Sequence, residues 1–75
     1  MKYVIKDNLP KGIINPTGEF TRKKAVEYFI NQINYLNTNG YEIKTYLRNE
    51  AKNPLRGTIK VLVDGFYYYV ELFAL

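Results

Sequence analysis

The dipeptide Asp64-Gly65 constrains this chain more than any other feature. It separates two alternating runs within Arg56 to Leu75, RGTIKVLV and FYYYVELFAL. Asp-Gly between such runs signals a hairpin, because a type I′ turn needs positive φ at both central residues. With a two-residue loop, Val63 faces Phe66, Val61 faces Tyr68, Ile59 faces Val70 and Gly57 faces Leu72. Period two places these residues on one apolar face. The opposite face carries Thr58, Lys60 and Leu62 on one strand and Tyr67, Tyr69, Glu71 and Phe73 on the other. That face is aromatic and charged, unlike a plain solvated surface. A slip of one residue would exchange the two faces.

A hairpin alone cannot bury its apolar face, so the rest of the chain must supply the cover. Thr21 to Thr38 supplies a helix. Val26, Phe29, Ile30 and Ile33 recur at helical spacing, with Leu36 at the edge of the stripe. Thr21 is a suitable N-cap, Phe20 before it can staple onto Ala25, and Asn39-Gly40 supplies a left-handed stop. Tyr41 to Asn49 alternates as a strand. Tyr41, Ile43 and Leu47 face one way, and Glu42, Lys44, Tyr46 and Arg48 the other. Lys2 to Lys6 reads as a short edge strand, with Tyr3 and Ile5 on one face and Val4 on the other. Its place beside one or other edge of the meander stays open. Asn8 to Phe20, with two prolines and two glycines, reads as a loop in which Ile13-Ile14 covers something apolar. Glu50 to Gly57 is a polar connector.

The expected fold class is therefore α+β: a two-layer β-α-β-β-β arrangement, one amphipathic helix packed on a small antiparallel sheet. Residues 1–75 form a single small domain on this reading. The expected core is the helix stripe, Ile30 and Ile33 foremost, against Val61, Phe66 and Val70. So short a chain, without cysteine, rests on one core of roughly 3–5 kcal/mol, or on a partner or second copy.

The chemistry missing from the chain narrows its function. It contains no His, Cys or Ser, which removes the usual general base, thiolate and hydroxyl nucleophile together. Structural zinc loses its common ligands. The seven carboxylates are dispersed along the sequence, and the glycines form no phosphate loop. The expectation is no enzyme, no cofactor and no metal site. Missing cysteine favours the cytoplasm, and no apolar run reaches the length of a membrane span. Eleven Lys and Arg against seven Asp and Glu give a net charge of +4, which favours an acidic partner.

Four constellations are candidates for function. The first is the outer sheet face: Lys44, Tyr46, Arg48, Lys60, Leu62, Tyr67, Tyr69 and Phe73. It suits a protein interface rich in Tyr and Arg, or base stacking with phosphate contacts. Alternatively, the Ile13-Ile14 loop covers it. The second is a candidate anion site of Arg22, Lys23 and Lys24 at the helix start, where cations oppose the helix dipole. The alternative, which is favoured, is a solvated, salt-screened end partly relieved by Glu19. The third is the helix back, Lys24, Tyr28, Asn31 and Tyr35, expected under the N-terminal loop. The fourth is the apolar end, Glu71 to Leu75, which either completes the sheet or joins a second copy as a homo-dimer.

Abundant Lys, Asn, Ile and Tyr with scarce Ala imply AT-rich codons. A tiny cofactor-free chain of this kind resembles, in type alone, a phage or mobile-element accessory protein. The expectation is a stoichiometric inhibitor that occludes a functional surface on a host protein with an acidic or apolar face. The alternative is a nucleic-acid-binding module using the same aromatic and basic surface.

Overall fold

A computed structural model describes residues 1–75. One helix lies on an antiparallel sheet, as the alternating and helical periods require. Strand β1 spans Tyr3–Asp7, β2 Gly18–Phe20, helix α1 Arg22–Thr38, β3 Glu42–Arg48, β4 Arg56–Val63 and β5 Phe66–Ala74. The five strands are ordered β2-β1-β5-β4-β3.

The hairpin register is the one the turn dictates. Val63 pairs with Phe66, Val61 with Tyr68, Ile59 with Val70 and Gly57 with Leu72. Asp64 has φ 49° and Gly65 φ 83°, the positive values a type I′ turn needs. The helix limits also follow local chemistry. Thr21 accepts a hydrogen bond from the Lys24 amide as N-cap, Asn39 is the C-cap and Gly40 follows with φ 80°. Ahead of the helix, Phe20 meets Tyr28 edge-on, with ring centroids 5.0 Å apart.

Strand β1 is not an edge. It lies between β5 and a short strand absent from the sequence reading, β2. Tyr3 pairs with both Phe20 and Ala74, and Ile5 with both Gly18 and Leu72. Gly18-Glu19-Phe20 has too few residues to display a period, so its strand character comes from pairing with β1. The apolar end completes the sheet: β5 runs along β1, and the Leu75 amide donates to the Lys2 carbonyl at 2.9 Å.

The buried set corrects the expected core at three positions. Val61 and Val70 are fully buried, but Ile30 is 42% exposed, Phe66 is 68% exposed and Ile33 is half-buried. Phe29 and Leu36 face inward as expected, but Ala25 and Gln32 join them in place of Val26, Ile30 and Ile33. At 100° per residue this stripe lies about 80° round the helix from the expected one. Phe29 explains the rotation. Gly57 leaves a gap in the sheet, and an added Cβ there would lie 2.7 Å from the Phe29 ring. Gln32 tolerates burial because its side-chain amide donates to the Ile14 carbonyl at 3.0 Å, which satisfies its polar head. Phe66 sits at the hairpin tip, where the neighbouring Val63 is also incompletely covered. Leu55, inside the supposed polar connector, is fully buried in the core cluster.

Candidate functional site

The outer sheet face is assembled by register alone. Strand β3 lays Glu42 beside Leu62, Lys44 beside Lys60, Tyr46 beside Thr58 and Arg48 beside Arg56. Strand β5 adds Tyr67 beside Leu62, Tyr69 beside Lys60 and Glu71 beside Thr58. Strand β1 then contributes Lys6 beside Glu71 and Val4 beside Phe73. All eight residues expected on this face therefore share it. Lys6, Arg56 and Glu71 join them. Lys6 is out of reach of sequence reasoning, because alternation alone does not name the strand that pairs with β1. Arg56 is missed because it stands where the polar connector meets β4.

Two like-charged pairs stand directly opposite one another, Lys44 with Lys60 and Arg48 with Arg56. Such pairs are destabilising unless relieved. Rings and carbonyls give the relief. The Lys60 ammonium lies 4.1 Å from the centroid of Tyr67. Arg56 lies over Phe73 at 5.7 Å and meets the Glu71 carboxylate at 3.5 Å. Glu71 also accepts from the Thr58 hydroxyl at 3.0 Å. Lys6 approaches Phe73 from its other neighbouring strand, at 5.9 Å. Arg48 donates to the Pro54 carbonyl at 3.1 Å, while its Nε is buried without a partner. Lys44 forms no ion pair.

The face is open. Tyr46 is 54% exposed, Tyr67 53% and Tyr69 39%, while Leu62 and Phe73 are half-buried. The loop after β1 does not cover it. Leu9 and Ile13 pack against the core, and the Ile14 carbonyl reaches the helix through Gln32. Ile14 itself points to solvent. Asp7 holds the loop there, accepting from the Leu9 amide and the Asn15 side chain, both at 2.9 Å. Asn8 alone reaches β5, where its side-chain oxygen accepts from the Tyr69 amide at 2.8 Å.

Two of the three cations at the helix start, Arg22 and Lys24, are drawn to partners of their own. Arg22 is a clamp. Its guanidinium donates to the Asn49 side chain at 3.0 and 3.3 Å, the Glu50 carbonyl at 2.8 Å, the Asn53 carbonyl at 3.4 Å and the Tyr3 hydroxyl at 3.2 Å. It ties the first turn of α1 to the β3–β4 connector. Lys24 pairs with Glu27 at 3.3 Å and lies over Tyr28 at 5.9 Å. Lys23 is exposed. On the helix back, Tyr28 is half-buried against Phe20, whereas Asn31 and Tyr35 remain exposed. No helix is long and apolar enough to cross a membrane. No protein-family model, curated protein or solved structure matches this chain, so the reading of its surface rests on its own residues.

Proposed function

We propose that the protein is a non-catalytic, stoichiometric binder that docks the outer sheet face onto an acidic protein surface. In that role its output is occupancy: it inhibits a partner by covering a functional surface. An accessory protein of a phage or mobile element is the setting such a role suits. The observation that carries the reading is the pairing of cations with aromatic rings across an uncovered face. Lys60 rests on Tyr67, while Arg56 and Lys6 flank Phe73. Rings engaged this way have less free π-face for stacked bases. Their cations instead present directed charge to carboxylates, with Tyr and Arg acting as interface anchors. Glu71, in the same face, supports the reading too, because a carboxylate beside a phosphate track would repel it.

A second reading has its own support. The paired cations Lys44/Lys60 and Arg48/Arg56 bracket the exposed Tyr46, a combination that suits single-stranded nucleic acid. The two readings separate in a salt titration. Partner capture from host lysate, with and without nuclease, supplies the protein ligand. Single-stranded DNA and RNA supply the other. For a protein partner, Tyr46→Ala or Tyr67→Ala costs several-fold more affinity than Lys44→Ala, and the complex survives moderate salt. For nucleic acid, loss of Lys44 lowers the log–log salt slope by about 0.7–0.9. Micromolar or tighter binding to bare single strands at physiological salt, lost on Tyr46→Ala, would reverse the order of the readings.

A further inference from the structure

Strand β3 is a long sheet edge left open. It pairs residue for residue with β4 over Glu42–Arg48, without a bulge, and carries no proline. Nothing sits on its other side, since β3 ends the sheet order and no loop or terminal backbone hydrogen bond involves residues 42–48. Natural edges are usually blunted by bulges, prolines, cover or charged side chains, because their unpaired amides and carbonyls template another strand. Of these, β3 has only the charges of Glu42, Lys44 and Arg48. The opposite edge, β2, is only three residues long.

The sequence of this strand, Glu-Ile-Lys-Thr-Tyr-Leu-Arg, is complementary to its own reverse. We propose that two copies of the chain pair antiparallel along β3, about a two-fold axis through Thr45. In that register Glu42 faces Arg48 of the other copy, Lys44 faces Tyr46, Ile43 faces Leu47 and Thr45 faces itself. Opposite charges therefore meet at both ends, cation–π pairs lie inside them, and aliphatic pairs meet on the helix side. Neighbouring registers fail this test. A shift of the axis to Lys44 sets the two Lys44 side chains against each other. A shift to Tyr46 sets Lys44 against Arg48. Registers pairing odd with even positions would place the helices on opposite faces of the joined sheet.

The helix flank adds a second observation. Val26, Ile30 and Ile33 lie side by side at 100° per residue, about 100° round from the buried stripe. Val26 shares a surface depression with Asn49, at the end of β3, which fixes this flank on the β3 side. Ile30 is exposed there, while Val26, Ile33, Ile43 and Leu47 are incompletely covered. A two-fold axis normal to the sheet brings both helices to one face, flank toward flank. The apolar residues that one sheet leaves uncovered are thus those a second copy would cover. This pairing engages Lys44, Tyr46 and Arg48 at the rim of the outer face, and it makes that face continuous across the axis.

The absence of cysteine makes cross-linking a clean test. Thr45→Cys should form a disulfide-linked dimer under mild oxidation, because residues facing across the axis lie within the span a disulfide can bridge. Glu42→Cys should not, since its two copies would be about 20 Å apart. By sedimentation across a concentration series, the natural chain should reach twice 8.8 kDa. Glu42→Arg and Arg48→Glu should each weaken the dimer by about fivefold or more at low salt, and the double swap should restore it. Should Arg48→Glu fail to fold, Glu42→Arg and the two cysteine variants still decide. A monomer at every concentration with no Thr45→Cys cross-link would overturn the proposal. So would a dimer indifferent to Glu42→Arg, or a Glu42→Cys cross-link as efficient as that of Thr45→Cys.

Discussion

Gly57→Ala should destabilise the protein although it adds only a methyl group. Gly57 is buried on the inner face of β4, opposite Leu72 and Leu47. Its new Cβ would lie 2.7, 3.0 and 3.1 Å from three carbons of the Phe29 ring. Phe29 is itself fully buried, so the ring cannot swing into solvent. Overpacking of this kind costs about 1–3 kcal/mol. Alanine in a strand offsets about 0.5–1 kcal/mol by lowering the entropy of the unfolded chain. The expected net loss is about 0–2.5 kcal/mol, centred near ~1 kcal/mol, and each kcal/mol lowers the melting midpoint by about 4–8 °C in a chain of this size. Urea denaturation followed by circular dichroism measures it directly. Phe29→Leu should lose stability alone through a cavity, yet lose less in the Gly57→Ala background, with a coupling of about 0.5 kcal/mol or more. A Gly57→Ala midpoint at or above the natural one would refute the steric argument, as would strict additivity of the two changes.

Ile59→Ala, at a fully buried position, should cost about 2–5 kcal/mol in the same assay, whereas Ile14→Ala on the exposed loop should stay within about 0.5 kcal/mol. Gly65→Val meets open space but must hold φ 83°, so its loss should exceed the ~1 kcal/mol of a propensity change and be felt mainly in hairpin chemical shifts. Arg22→Lys keeps the charge but not the fork that spans Asn49, Glu50 and Tyr3. It should lower stability by about 1–2 kcal/mol and raise amide exchange in residues 49–55, and equal stability of the two side chains would show that charge alone acts there.

The local readings that held are those in which a few neighbouring residues decide the outcome. Asp64-Gly65 selects a turn, the turn selects a register, and the register assigns every side chain of β4 and β5 to a face. Thr21 and Asn39-Gly40 likewise bound the helix because capping is settled within one turn. The turn, with the alternation of Tyr41 to Asn49, places Lys44, Tyr46, Arg48, Lys60, Leu62, Tyr67, Tyr69 and Phe73 on one surface. Their partners could not be read this way. Whether Lys60 rests on Tyr67 or Arg56 meets Glu71 depends on cross-strand diagonals and side-chain reach.

The rotation of the helix was beyond local reading for a different reason. Counting apolar residues favours Val26, Phe29, Ile30 and Ile33, with Leu36 at the edge, since Ala25 is small and Gln32 polar. Phe29 and Leu36 do turn inward. The inward stripe is chosen instead by a gap at Gly57 that admits Phe29, and by an Ile14 carbonyl that satisfies Gln32. Both lie far from the helix in sequence. Strand β2 and the interior place of β1 have the same origin, because a three-residue segment becomes a strand only when another strand offers it hydrogen bonds. Periodicity therefore determined which residues share a face. Tertiary packing decided which face is covered, since burial depends on what the chain brings to the other side.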